Sequence, residues 1–345
     1  MRLPRLLPAL ATAGAALLVL AGCSGATAPG STTPSASSSD GTTYPITIPN
    51  AFGETTIEKK PTRVATVAWS NQEVPLALGV VPVGMPKATF GDDDGDGVLP
   101  WVEDRLKALG AKTPTLFDET SGIDFEAVAD TRPDVILAAY SGLSQDDYDT
   151  LSKIAPVVAY PDQPWTTSLD DMIVLDSEGM GMKAQGEALV ASLDEQVAAA
   201  AEKQPSIAGR SVAFVSPKGA TDLGSLYVYT THDPRAAFFE QLGMTTPEVV
   251  KAASAKSDAF YTELSAEASD RLDDVDVLVL YGSAETLKAM QADPLLGRIP
   301  AVKRGSVVVL GADGPLAASA NPSPLSIGWG IDDYVERLAA AAQKV

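Results

Sequence analysis

The chain has 345 residues, 45 of them acidic and 25 basic, for a formal net charge of −20 at pH 7. A field of that sign repels a phosphate backbone and excludes nucleic acid as a partner. Cys23 is the single cysteine, which rules out an intramolecular disulfide and leaves stability to an apolar core.

Residues 1–22 read as a secretory signal. Arg2 and Arg5 form a basic start, Leu6 to Leu20 is apolar or small almost throughout, and Leu20-Ala21-Gly22 supplies small residues before Cys23. The pattern resembles a bacterial lipoprotein signal, which implies a lipid on the Cys23 thiol and amine. Each buried CH₂ adds about 0.8 kcal/mol of membrane affinity, so two or more chains anchor stably. Residues 23–43 hold no large apolar side chain and are rich in Ser, Thr, Ala, Gly and Pro. Such a stretch cannot offset its ordering entropy and reads as a tether with a reach of roughly 25 Å.

From residue 44 onward the pattern alternates short apolar runs with helical segments. Strands are expected over 64–69, 80–84, 133–139 and 156–160, with helices over 73–78, 125–130 and 148–154 between them. Residues 183–203 lack proline and place Leu189, Leu193 and Val197 on one stripe of an Ala-rich helix roughly 30 Å long. A second set follows. Strands are expected over 211–216, 226–229, 275–281 and 306–310, and helices over 234–242, 285–291 and 332–344. This predicts an α/β fold: two Rossmann-like lobes with parallel sheets, residues 44–182 and 205–345, joined by one long helix over 183–204. No second apolar run is long enough to span a bilayer.

Several segments in this order resemble the solute-binding proteins of iron–siderophore and cobalamin ABC importers. They include Arg63-Val-Ala-Thr-Val-Ala-Trp-Ser70, Asp124-Phe-Glu-Ala-Val-Ala-Asp-Thr-Arg-Pro-Asp-Val-Ile-Leu137 and Asp233-Pro-Arg-Ala-Ala-Phe-Phe-Glu-Gln-Leu-Gly243. Asp293-Pro-Leu-Leu-Gly-Arg-Ile-Pro-Ala-Val-Lys-Arg-Gly305 and Pro324-Leu-Ser-Ile-Gly-Trp-Gly-Ile-Asp-Asp-Tyr334 complete the set. The resemblance implies a ligand cleft between the lobes and a monomer that binds a ferric siderophore. It also implies delivery to an ABC permease dimer with its cytoplasmic ATPase, anchorage at the outer face of the cell membrane, and no catalytic residues. Haem or cobalamin is the alternative ligand of the same class.

Ligands of parallel α/β folds sit beyond the carboxyl ends of strands, here Trp69-Ser70, Tyr140-Ser141, Ser216 and Tyr281-Gly282. An amphipathic ferric complex needs aromatic faces and a few donors. Trp69, Tyr140, Tyr227 and Arg235 are therefore expected to line the cleft, with Trp101, Trp165 and Trp329 as further candidates; the same residue types also serve as core. By motif position, Glu126 and Glu267 are the carboxylates the family presents to its permease, with Glu263 the alternative on the second lobe. Asp92, Asp94, Asp96 and Glu103 fit the calcium-loop spacing D-x-D-x-D-G-x₅-E, although no helix pattern precedes Asp92. His232, the sole histidine, is the one imidazole open to a haem iron or to a hydrolase triad. No G-x-S-x-G elbow or glycine-rich phosphate loop is present.

Overall fold

The structure, a computed structural model, describes residues 42–219 and 222–345. The signal expected over 1–22, Cys23 and the tether to residue 41 lie outside the described residues. The end of the expected tether is tied to the body: the Thr42 hydroxyl donates to the Gly181 carbonyl at 3.1 Å.

The chain enters through a hairpin that the sequence pattern did not single out, β1 (Ile46–Asn50) and β2 (Gly53–Ile57). Alternation buries Ile48 and Ile57, and Gly53 takes φ +126°, a value open to glycine at the tight turn. There follow β3 (Val64–Thr66), α1 (Glu73–Ala77), β4 (Gly84–Pro86), α2 (Pro100–Ala108) and β5 (Thr115–Phe117). Next come α3 (Phe125–Asp130), β6 (Val135–Ala138), α4 (Gln145–Leu151) and β7 (Val157–Ala159). These strands form one all-parallel sheet in the order β5-β4-β3-β6-β7. β6 is buried along its whole length, as a sheet covered on both faces requires. The strand expected over 80–84 is displaced to Gly84–Pro86, because the Val80 N–H bonds the Pro75 carbonyl at the end of α1. α4 starts at Gln145, ahead of the expected Tyr148, because Ser144 and Asp147 form a capping box.

Two helices connect the sheets. α5 (Leu169–Gly179) is capped by Ser168, and α6 (Lys183–Glu202) is the long helix expected from its stripe; Leu193 and Val197 are buried in it. The two pack closely at Gly186, where an added Cβ would meet the Ser177 hydroxyl at 1.9 Å. Only glycine lets the backbones approach so far.

The second sheet contains β8 (Val212–Pro217), β9 (Ser225–Tyr229), β10 (Tyr261–Ser265), β11 (Val277–Leu280) and β12 (Val307–Val309), in the order β10-β9-β8-β11-β12. Between them lie α7 (Pro234–Gln241), α8 (Glu248–Ser254), a 3₁₀ segment Ala266–Leu272, α9 (Ala284–Ala292) and α10 (Pro300–Arg304). The chain closes with α11 (Pro315–Ser319) and α12 (Ser326–Ala342). The expected all-parallel sheet is corrected here: β9 runs antiparallel to both β8 and β10. A short connection of the hairpin type joins β8 to β9, whereas a parallel crossover needs a dozen or more residues.

One apolar cluster runs from Val135 and Leu137 of β6 through Leu193 and Val197 of α6 to Phe214 of β8, Val279 of β11 and Leu338 of α12. The two sheets thus share a continuous core across the bridging helix. The segment between β12 and α12 also reaches back to the first sheet: Ala318 is buried with Leu76, Met85 and Trp101. No helix among the described residues is long and apolar enough to cross a membrane.

Candidate functional site

Between the lobes lies a cleft of ≈ 320 Å³. The first lobe contributes Trp69, Thr89, Phe90, Tyr140 and Trp165, and the second Arg235, Phe260, Tyr281 and Asn321. Trp69 and Tyr140 follow β3 and β6, as the strand-end rule requires. Trp165 is held at φ +63° by its N–H bond to the Ser141 carbonyl and stands edge-on to Tyr140, with ring centroids 5.4 Å apart. Ala68 and Ser70 also adopt left-handed backbone, at φ +61° and +63°. Non-glycine residues in that region are strained; Ala68 and Ser70 flank the cleft residue Trp69, and Trp165 lines the cleft itself.

Among the described residues Arg235 is the one cation lining the cleft, and its charge is met from within. Asp233, fully buried, accepts from its Nε at 2.8 Å and its terminal nitrogen at 2.6 Å. The guanidinium lies 4.3 Å from the Tyr229 ring centroid and 5.9 Å from that of Tyr281. Burial works against its charge, but the Asp233 bonds prevail and hold its pKa well above the ordinary value. Burial pushes the Tyr229 phenol up to about 12 and raises Tyr140 as well, so both stay neutral. The cleft is therefore aromatic and electrically balanced. The Trp69 indole Nε1 is buried with no hydrogen-bond partner among the described residues.

Contacts also cross between the lobes. Asn321 donates to the Tyr140 hydroxyl at 3.2 Å, the Gly91 N–H to Asp313 at 3.2 Å, and Phe90 meets Tyr281 edge-on. Behind the cleft, the buried Glu73 carboxylate accepts from Trp101 Nε1 at 2.7 Å, the Ser323 hydroxyl at 2.5 Å and the Leu325 N–H at 3.0 Å. Burial pushes its pKa up to about 7, against the lowering effect of these bonds.

The structure thus gathers Trp69, Tyr140, Trp165 and Arg235 of the expected set. Three others sit elsewhere. Trp101 is buried in the first lobe, oriented by Glu73 rather than by a ligand. Trp329 is 42% exposed on α12, its ring 5.2 Å from Trp101. It lies within the closing helix, which begins at Ser326 and not at Asp332. Tyr227 packs on Tyr261 across β9 and β10, 4.6 Å between centroids, outside the cleft lining. Ser216 and Gly282 line a separate depression of ≈ 570 Å³ that shares only Tyr281 with the cleft. Thr89, Phe90, Phe260 and Asn321 escaped sequence reasoning because they lie on loops with no periodic signal. Asn321 could have been noticed from its place between two apolar segments and a Pro.

His232 lies in a further cavity, with Nε2 3.1 Å from the Ser254 carbonyl. It is not among the residues that line the cleft. Asp92, Asp94 and Asp96 bring their carboxylates within 4.8 Å of one another, but Glu103 stands outside the cluster. The Asp92 carboxylate accepts from the N–H groups of Asp94, Gly95 and Gly97 at 2.8–3.2 Å, the pattern of an aspartate turn. Glu126 is exposed in the first turn of α3 and Glu267 in the first turn of the 3₁₀ segment. Glu263 is engaged by Lys218 at 2.9 Å and by Ser225 at 2.7 Å.

Comparison with known proteins agrees with this architecture. A family model described as periplasmic binding protein matches residues 64–313. The ferric enterobactin-binding periplasmic protein FepB of Escherichia coli O6:H1 is 26% identical over 289 residues, 78% of this chain and 85% of FepB. The probable siderophore-binding lipoprotein YfiY of Bacillus subtilis is 27% identical over 241 residues, 68% of this chain and 67% of YfiY. Among solved structures, PiaA of Streptococcus pneumoniae TIGR4 in complex with ferrichrome has a TM-score of 0.84 and 45% identity, covering 87% of this chain and 99% of PiaA. With most of both lobes matched, the chain belongs to the periplasmic binding protein family.

Proposed function

We propose that this protein captures an uncharged ferric siderophore of the hydroxamate class outside the cytoplasm and hands it to an ABC importer. The balanced aromatic cleft carries this reading. Fe³⁺ bound by three hydroxamates has no net charge, and such a complex suits six aromatic rings and a guanidinium already neutralised by Asp233. A ferric tris-catecholate carries three negative charges and would meet no free cation in the cleft while entering the field of a chain of charge −20. The similarity to PiaA, solved with ferrichrome, supports the same class. Binding without turnover fits the family. A haem reading would need a tyrosine as axial ligand, since His232 lies apart.

The test is a titration of intrinsic tryptophan fluorescence with ferrichrome, a ferric tris-catecholate, ferric citrate, haemin and cobalamin. Saturable quenching by ferrichrome at micromolar concentration or below is expected, with the charged complexes weaker. Trp69→Phe keeps the ring face and removes the unpartnered N–H. It should weaken ferrichrome about five- to tenfold, the worth of one hydrogen bond in a desolvated site. Quenching by haemin or cobalamin alone would overturn the ligand class.

Delivery rests on Glu126 and Glu267. Both stand at helix starts on the side where the strands of their sheets end, the side on which the cleft opens, and rim carboxylates steer docking onto a basic permease surface. Lobes 44–182 and 205–345 would act as the two halves of the clamp, with Cys23 as the lipidated anchor. In whole cells, Glu126→Lys with Glu267→Lys should abolish uptake of labelled ferrichrome while leaving its affinity unchanged, and Cys23→Ala should release the protein into the medium. Normal uptake by the charge-reversed protein would remove the docking assignment.

A further inference from the structure

A second chamber of ≈ 190 Å³ opens beside the cleft inside the first lobe, sharing Trp69, Thr89 and Trp165 with it. It has room for about six waters, at roughly 30 Å³ each. Met85, Pro86, Val98, Leu99 and Val102 supply apolar walls. Two acceptors with bonding capacity to spare line this space. Glu119 accepts the Ala68 N–H at 3.0 Å and has no basic side chain within salt-bridge distance among the described residues. Gln72, only 7% exposed, has its side-chain oxygen buried with no partner.

Lys87 also lines the chamber; its stem packs over Gly97, and its charge helps to lower the pKa of the exposed Asp118. Burial pushes the Glu119 carboxyl up to about 7, as a carboxylate without a counter-ion should behave. A carboxylate without a counter-ion and an unpartnered amide oxygen between aliphatic walls call for a donor-only cation on an apolar stem.

We infer that this chamber receives a primary ammonium on an aliphatic arm of the ligand, with Glu119 as its counter-ion and the Gln72 carbonyl as second acceptor. The inference rests on the ferric hydroxamate reading and narrows it: the preferred ligands carry a free amine in addition to the neutral iron centre. The neutral core would rest on the aromatic cleft while the arm passes between Trp69 and Trp165. Glu119 also steadies the left-handed Ala68, a structural task that a glutamine oxygen performs equally well.

The test compares ferrioxamine B, a ferric tris-hydroxamate with a terminal amine, with its N-acetylated form, which has the same core and no charge on the arm. At pH 8 the wild-type protein should bind the ammonium form about tenfold tighter. Glu119→Gln should remove that preference and leave affinity for the acetylated form unchanged, which also shows that the variant is folded. Gln72→Leu should reduce the preference in part; Gln72 makes no capping bond to α1, so the helix start is retained. Equal binding of the two forms by wild type, or a preference that persists in Glu119→Gln, overturns the inference and leaves the hydroxamate reading standing. Failure of ferrichrome and both ferrioxamine forms to bind would overturn both. General attraction by the acidic chain would persist in Glu119→Gln, so that variant separates a local counter-ion from the overall field.

Discussion

Removing the Asp233 carboxylate is expected to lower folding stability by about 3–5 kcal/mol, the usual result of leaving one member of a buried ion pair without its partner. Asp233 is fully buried and Arg235 has 15% of its side chain exposed, so water cannot replace the lost bonds. The same carboxylate caps α7 by accepting the Arg235 N–H at 2.9 Å, a role worth about 1 kcal/mol by itself. In urea unfolding, Asp233→Ala and Arg235→Ala should each show a large loss. The double variant should lose much less than their sum, because it strands no charge. Additive losses would mean that the pair is not coupled in the folded protein. Selectivity should move as well. Asp233→Asn keeps the shape and leaves the guanidinium uncompensated, so affinity for an anionic ferric catecholate should rise relative to ferrichrome.

Glu73 gives the second large effect, as a dependence of stability on pH. Its carboxyl titrates at about 7 in the folded protein against an ordinary value of 4.5. Between those values the folded chain keeps a proton that the unfolded chain has released. Stability therefore falls as pH rises. The contribution is fully present below pH 4.5, is lost progressively up to about pH 7, and changes no further above it. The span corresponds to about 3 kcal/mol, or about 5 °C in Tm for a body of this size. Asp176 and Glu119 are also raised by burial and slope in the same direction. The difference between wild type and Glu73→Gln isolates Glu73. The variant cannot ionise, so its stability should fall less steeply from pH 5 to pH 8. Parallel pH profiles would show that Glu73 does not titrate in this window. Glu73 joins α1 and Trp101 to Ser323 and Leu325 of the second lobe. Glu73→Ala removes all three acceptor bonds and should be the least stable of the series, since each stranded buried donor costs about 1–3 kcal/mol.

The long helix was legible because its signal is local. Leu189, Leu193 and Val197 repeat at helical spacing in an Ala-rich, proline-free run, and α6 occupies Lys183–Glu202. The buried strands Val135–Ala138 and Val277–Leu280 were legible for the same reason, as short apolar runs between turn residues. β10 was not, because Tyr-Thr-Glu-Leu-Ser is half polar and its strand state is set by pairing with β9. The antiparallel course of β9 depends on which neighbour it reaches, and no residue type within it encodes that direction.

At the site, composition and order identified the family and the residue types that a cleft for a ferric complex needs. Trp69, Tyr140 and Arg235 could be named from strand ends and motif positions, and Trp165 only as one of the chain's few aromatic residues. Whether a given aromatic faces ligand or core is a property of its neighbours. Trp101 is drawn inward because a carboxylate 28 residues earlier in the chain accepts its indole N–H. Tyr227 is taken by Tyr261, which lies on a different strand. Charge balance is decided the same way. Asp233 and Arg235 are close in sequence, but only their burial together against Tyr229 and Tyr281 makes the cleft neutral. Periodicity and composition report the free energy of local structure and of burial in general. Pairing between distant groups depends on three-dimensional proximity, which appears only when the two sheets close on their shared core.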